Sequence, residues 1–215
     1  MSNMPMVVQT RTTTYSGRGA ARLRWVFEQR AKLTIVAGAL AILSGVYWAG
    51  AAALPGPIAL WCFLGGYLVV AGSAVRFWAA LYIGGRKNRE LVTDGPYRLL
   101  RNPLYAGNLV ASLGLGLITG SLAVVVIAMP LLAAIWWCTV LAEETRLEEK
   151  FGDLYRDYVG RVPRFIPRWI DLRAFSADTA TKTVTHRHVP RELARASIVL
   201  ALAVVIVGNR LALAS

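Results

Sequence analysis

Long uncharged runs alternate with short charged connectors along this chain. Leu33–Leu54 carries no charge over 22 residues, enough to cross a hydrocarbon core about 30 Å thick at about 1.5 Å per residue. Ile58–Gly85 is a second such run, broken only by Arg76. Leu104–Ala142 is uncharged for 39 residues, too long for one span and right for two, with Gly120-Ser121 as the turn between them. From Glu143 the pattern changes to an apolar stripe on a charged helix, with Leu147, Phe151, Leu154 and Tyr158 recurring at helical spacing until Pro163 and Pro167 end it. Leu193–Ser215 is a further apolar segment whose Arg195 and Arg210 can extend outward past the hydrocarbon. The pattern predicts an all-α polytopic membrane helix bundle of about five transmembrane helices with one amphipathic helix on its cytoplasmic side.

The same pattern divides the chain. Residues 1–32 read as a cytoplasmic tail leading into an interfacial helix, where Trp25 and Phe27 lie among arginines. Residues 33–85 hold the first two spans, 86–170 a core of connector, helical hairpin and amphipathic segment, 171–192 a linker, and 193–215 the fifth span. Composition agrees, because 56% hydrophobic content and a mean hydropathy of +0.48 over 215 residues are too apolar for an ordinary soluble domain.

Charge sets the orientation. The net charge of +12 lies between apolar spans and not along one helix or in a soluble domain, which argues against a nucleic-acid partner. Lys and Arg are absent from the turns at Pro55-Gly56-Pro57 and Gly120-Ser121 and abundant in the other connectors. The N-terminus and the mouth of the hairpin are therefore expected on the cytoplasmic side of a cell inner membrane or endoplasmic reticulum. Cys62 and Cys138 sit in apolar runs without CxxC spacing, and His186-x-His188 lacks a partner cluster, so no metal site is expected.

Polar chemistry concentrates at Gly95–Asn108, GPYRLLRNPLYAGN. Pro96 and Pro103 disfavour helix in the residues before them, and Pro103 is suited to open the following helix. Tyr97, Arg98, Arg101, Asn102 and Tyr105 then form a polar cap at headgroup depth, which is either an interfacial anchor or a site for a small charged molecule. Gly114-Leu115-Gly116 lets another helix or a ligand approach the backbone. Arg76, inside a span, either reaches to the interface or serves the site.

The central stretch resembles the GPYR-x-x-RHP-x-Y-x-G motif of the isoprenylcysteine carboxyl methyltransferase and phospholipid methyltransferase family of integral membrane enzymes. The resemblance continues through Glu143-Glu144 and Phe151–Pro167, FGDLYRDYVGRVPRFIP, and reaches back to Arg76. One position departs, since the family's usual His is Asn102 here. The resemblance implies S-adenosyl-L-methionine as cofactor, held by Tyr97, Arg98, Arg101, Asn102, Tyr105, Gly114, Gly116, Glu143 and Glu144. It also implies Glu143, Glu144 and Arg164 in catalysis, and Arg76, Arg161 and Arg164 toward the acceptor. The partners expected are membrane lipids and a lipophilic or lipidated substrate.

These residue types suit that cofactor. Glu143 or Glu144 can pair with an ammonium, Arg98 or Arg101 with a carboxylate, and Tyr97 or Tyr105 with an adenosine. Adjacent glutamates on a helix point about 100° apart, so one is expected to face the cofactor and the other to orient its surroundings. No Asp, Glu or His interrupts the first four spans. An acceptor already anionic, such as the carboxylate of an isoprenylcysteine-like group or a thiolate, therefore suits best. A phospholipid amine would need a glutamate to take its proton. Two other readings stand beside this one: an NADPH-dependent membrane reductase and a non-enzymatic membrane scaffold.

Overall fold

The computed structural model describes residues 54–86, 89–167 and 189–212, together with position 29. All but the last residue of the expected first span, the interfacial helix before it, and His186 and His188 lie outside the described residues. Among the described residues the elements are α1 (Ile58–Ile83), a 3-10 turn (Gly95–Arg98), α2 (Pro103–Ile118), a π-helical segment (Val124–Ala128), α3 (Met129–Phe151), α4 (Asp153–Arg161) and α5 (Val189–Ala212). Three stretches, Ile58–Ile83, Val124–Phe151 and Glu192–Arg210, are long and apolar enough to cross a membrane, and Pro103–Ile118 is a shorter apolar helix. The all-α membrane bundle expected from the pattern is the architecture found.

Small residues bring α1 and α2 together. A Cβ built on Gly72 would lie 2.4 Å from the Ala111 nitrogen, and one on Gly114 would lie 2.5 Å from the Gly65 carbonyl oxygen. Backbone thus meets backbone at both contacts. Between lipid-facing helices such contact replaces the hydrophobic drive that association has in water. Helix α5 packs beside this pair through Val199, Ala203, Ile206 and Val207 against Val69, Leu115 and Ile118. It begins at Val189, four residues before the predicted start, and so takes Glu192 into its first turn.

The hairpin turns where expected, between Ile118 and the buried Ser121. The amide of Leu54 donates to the Gly120 carbonyl at 2.8 Å, which brings the Pro55-Gly56-Pro57 turn to the same end as the hairpin turn. The second arm opens in π geometry directly ahead of Pro130. A proline has no amide to donate four residues back and its ring crowds that carbonyl, so a widened turn is the relief. Below it, Leu132, Trp136, Val140 and Glu144 follow at four-residue spacing and are all buried.

The predicted amphipathic helix needs correction. The second arm runs on as one helix to Phe151, and Gly152, at φ +53°, breaks it from α4. Left-handed backbone at that position turns the chain, and glycine takes it without a Cβ penalty. The stripe through Leu147, Phe151, Leu154 and Tyr158 therefore does not continue across the break. Leu154 is 69% exposed, while Tyr155 and Tyr158 are buried.

Candidate functional site at the hairpin mouth

The 3-10 turn is seated on the end of α1. Tyr97 packs with Ala79 and Val92, and Tyr82, Ile83 and Leu104 close around them. Gly95 has φ +56°, and the Tyr82 ring covers the place where a Cβ would be. Pro103 then opens α2, so Asn102 is placed at its N-terminus and is buried.

Glu144 comes to meet this cap from the end of the buried seam on α3. Its Oε1 accepts from Asn102 Nδ2 at 2.8 Å, and its Oε2 from Arg164 Nη2 at 2.7 Å and Arg101 Nη1 at 3.4 Å. Arg164 Nε lies 3.1 Å from both carboxylate oxygens. Two guanidinium groups and an amide thus hold one buried carboxylate, which satisfies its charge and fixes its direction. The neighbouring Glu143 accepts from the Tyr105 hydroxyl at 2.7 Å. The divergent directions expected of adjacent glutamates are realised as two separate contacts.

The segment after α4 folds back over the mouth. Arg101 donates its amide to the Pro163 carbonyl at 2.8 Å, and the Tyr158 hydroxyl donates to the Tyr97 carbonyl at 2.7 Å. Arg164 lies over the Trp137 ring at 5.2 Å, and Phe165 stacks on the same indole. Burial raises the Tyr97, Tyr155 and Tyr158 hydroxyls above their ordinary range. The charge of Glu144 adds to the effect at Tyr155, and a hydrogen bond from Arg101 opposes it. All three are neutral at physiological pH and act as hydrogen-bonding groups.

Of the sequence-predicted site residues, Tyr97, Arg101, Asn102, Tyr105, Glu143, Glu144 and Arg164 come together here. Arg98 is exposed at the end of the 3-10 turn, and Arg161 is exposed with its Nε on the Asp157 carbonyl. Gly114 lies against the backbone of α1 and Gly116 against Met129, about two and a half turns or more from Tyr105. Arg76 makes no contact with the Glu144 cluster among the hydrogen bonds described and is held beside it, its Nη1 on Asn108 Oδ1 at 3.1 Å and its Nη2 on Glu192 Oε2 at 3.0 Å. Sequence reasoning missed Trp137, Tyr155, Asn108 and Glu192. For Tyr155 and Tyr158 the i, i+3 spacing was the available signal.

Two buried polar atoms at the mouth, the Tyr97 hydroxyl and Arg101 Nε, have no hydrogen-bond partner among the described residues. Leaving such a group unsatisfied costs about 1–3 kcal/mol, which a polar ligand supplying the missing contacts would recover. The groups gathered here, two accepting carboxylates, two donating guanidinium groups and several aromatic rings, fit a molecule that carries an ammonium, a carboxylate and a flat base.

Residues 57–154 match the family described as phospholipid methyltransferase. The chain is 40% identical over 114 residues to the cobalt-zinc-cadmium resistance protein CzcN of Cupriavidus metallidurans, covering 53% of this chain and 52% of that one. It is 40% identical over 100 residues to the nickel-cobalt-cadmium resistance protein NccN of Alcaligenes xylosoxydans xylosoxydans, 46% of each chain. It is 31% identical over 87 residues to the protein-S-isoprenylcysteine O-methyltransferase of Schizosaccharomyces pombe, 40% of this chain and 37% of that one. The chain thus spans about half or less of the length of these curated relatives. The matched segment begins one residue before α1, takes in Tyr97, Asn102, Tyr105, Glu143 and Glu144, and ends at the start of α4 short of Arg164, so over that part the chain is similar to the phospholipid methyltransferase family.

Proposed function

We propose that this protein is an S-adenosylmethionine-dependent membrane methyltransferase acting on a lipophilic acceptor, with the carboxylate of an isoprenylcysteine-like group as the acceptor its site suits best. The observation that carries the reading is the closed cluster at the hairpin mouth, where Glu144 is held by Arg101, Asn102 and Arg164 while Tyr97 and Arg101 keep unsatisfied donors. S-adenosylmethionine, when bound, supplies a methyl group activated by a sulfonium. Arg101 would hold its carboxylate, Glu143 its ammonium, and Tyr97 and Tyr105 its adenosine. Glu144, already paired with two arginines, orients those arginines.

Arg164 is fixed between Glu144 and the Trp137 ring, and with Arg76 it is the cation we assign to the acceptor's carboxylate. An anionic acceptor needs no base, which suits a mouth whose two glutamates are engaged by Tyr105 and by Arg101 and Arg164. Water exclusion by the returning segment and alignment of the two reactants supply the catalysis. We place the mouth on the cytoplasmic face, because the two turns at the opposite end lack Lys and Arg.

The test is transfer of labelled methyl from S-adenosylmethionine by the protein in nanodiscs. Three acceptors are offered separately: N-acetyl-S-farnesylcysteine, phosphatidylethanolamine and a small alkyl thiol. Label on the farnesylcysteine carboxylate is the expected result. Label on the lipid amine or the thiol moves the acceptor within the family, and binding of NADPH in place of S-adenosylmethionine overturns the reading.

A further inference from the structure

Helix α5 lies outside the segment matched by the family, yet it reaches the polar interior of the bundle. It docks antiparallel to α1, with Glu192 at Arg76, Ala203 at Val69 and Arg210 against Gly120 at the far end. Apolar contacts and the Arg210 end already hold α5 in place. The ion pair at Arg76 is therefore an addition to a docked helix.

Arg76 is gripped from two sides. The base of its side chain is pressed on α2, where a Cβ on Gly107 would come within 2.9 Å of the Arg76 Cβ. Its guanidinium donates to Asn108 of α2 at 3.1 Å and to Glu192 of α5 at 3.0 Å. Both charged side chains are largely buried, at 25% and 13% exposure, and such a pair is a weak source of stability but a strong constraint on direction. The charge of Arg76 acts on Tyr97, whose buried hydroxyl lacks a partner at the mouth.

We infer that Glu192 is a positioning residue for Arg76, and that through it α5 forms one wall of the acceptor site. This rests on the reading above, in which Arg76 meets the acceptor's charge. With Glu192 present the guanidinium has one direction, set by two helices. Without it Arg76 keeps its charge but loses half of that constraint, and the acceptor must order it on binding.

The experiment compares Glu192→Gln and the exchange Arg76→Glu with Glu192→Arg against the unaltered protein in nanodiscs. N-acetyl-S-farnesylcysteine is the acceptor probe. Three quantities are measured: KM and kcat for the probe, Kd for S-adenosylmethionine, and cross-linking of cysteines placed at Val69 and Ala203 as a report of α5 docking. Glu192→Gln is expected to raise KM about tenfold, the factor that 1.4 kcal/mol corresponds to, with cofactor Kd and cross-linking unchanged. The exchange restores an ion pair and is expected to cross-link normally while KM stays raised. An unchanged KM in Glu192→Gln overturns the inference. So does an exchange variant that recovers KM together with cross-linking, because Glu192 is then a latch. If Glu192→Gln also loses cross-linking, the exchange variant decides in the same way. Failure of the functional reading is seen separately, as unaltered protein that neither binds S-adenosylmethionine nor methylates the probe.

Discussion

Replacing Glu144 by Gln removes one charge from the centre of the mouth and leaves its shape. The remaining carbonyl oxygen can still accept from Asn102, now 2.8 Å away, but the new amide turns donors toward Arg164 Nη2, now at 2.7 Å. Removing one partner of a fully buried pair costs about 3–5 kcal/mol, because the other charge stays desolvated. Arg164 is 30% exposed and recovers part of its hydration, whereas Arg101 is 12% exposed and recovers little. A loss of about 2–3 kcal/mol follows, which lowers Tm by roughly 4–12 °C for a chain of this size. S-adenosylmethionine affinity should fall as well, since Arg101 loses the group that aims it. Thermal unfolding in detergent and calorimetric titration of the cofactor measure the two effects. Unchanged Tm and unchanged cofactor affinity in Glu144→Gln would refute the hub role.

Asn102→His should keep cofactor affinity within about threefold at pH 8, because an imidazole N–H can still donate to Glu144, while Asn102→Leu should lose roughly 5- to 150-fold by calorimetry. Gly72→Ala forces a methyl against the Ala111 nitrogen and should destabilise by about 1–3 kcal/mol or more in thermal unfolding, while Gly66→Ala, which meets nothing within 4 Å, should be tolerated. Alkaline titration should lower Tm from about pH 10 upward. Burial raises the folded-state pKa of Tyr97, Tyr155 and Tyr158, so the unfolded chain loses those protons first and stability falls through that window. Tyr155→Phe should flatten the descent, and an undiminished slope would remove Tyr155 from the account.

Long-range periodicity made the bundle legible, because an uncharged run of 39 residues with one glycine-serine turn admits few folds. Residues at the mouth were legible by type and order, and Asn102, Tyr105, Glu143 and Glu144 do meet there. Their pairing was not. Which glutamate takes the arginines depends on the phase of α3, and that phase is set by a π segment far from the pair. The amphipathic stripe failed for a local reason: periodicity was carried through Gly152, whose left-handed backbone resets it. Glu192 was illegible because its partner lies 116 positions away, and nothing near either residue announces the other.

The widened turn at Val124–Ala128 also acts as a one-residue spacer. Drawn in to regular α geometry, it would reach each downstream level one residue sooner, with a rotation of about 100° and a rise of about 1.5 Å. Leu132, Trp136 and Val140 would yield their places to Leu131, Ile135 and Thr139, and Glu143 would arrive where Glu144 now stands. A slip that exchanges an indole for an isoleucine in the packing would still deliver a carboxylate to the arginines. The doubled glutamate thus makes the charge at the mouth tolerant of helix register, while the apolar seam above it is what keeps the register single.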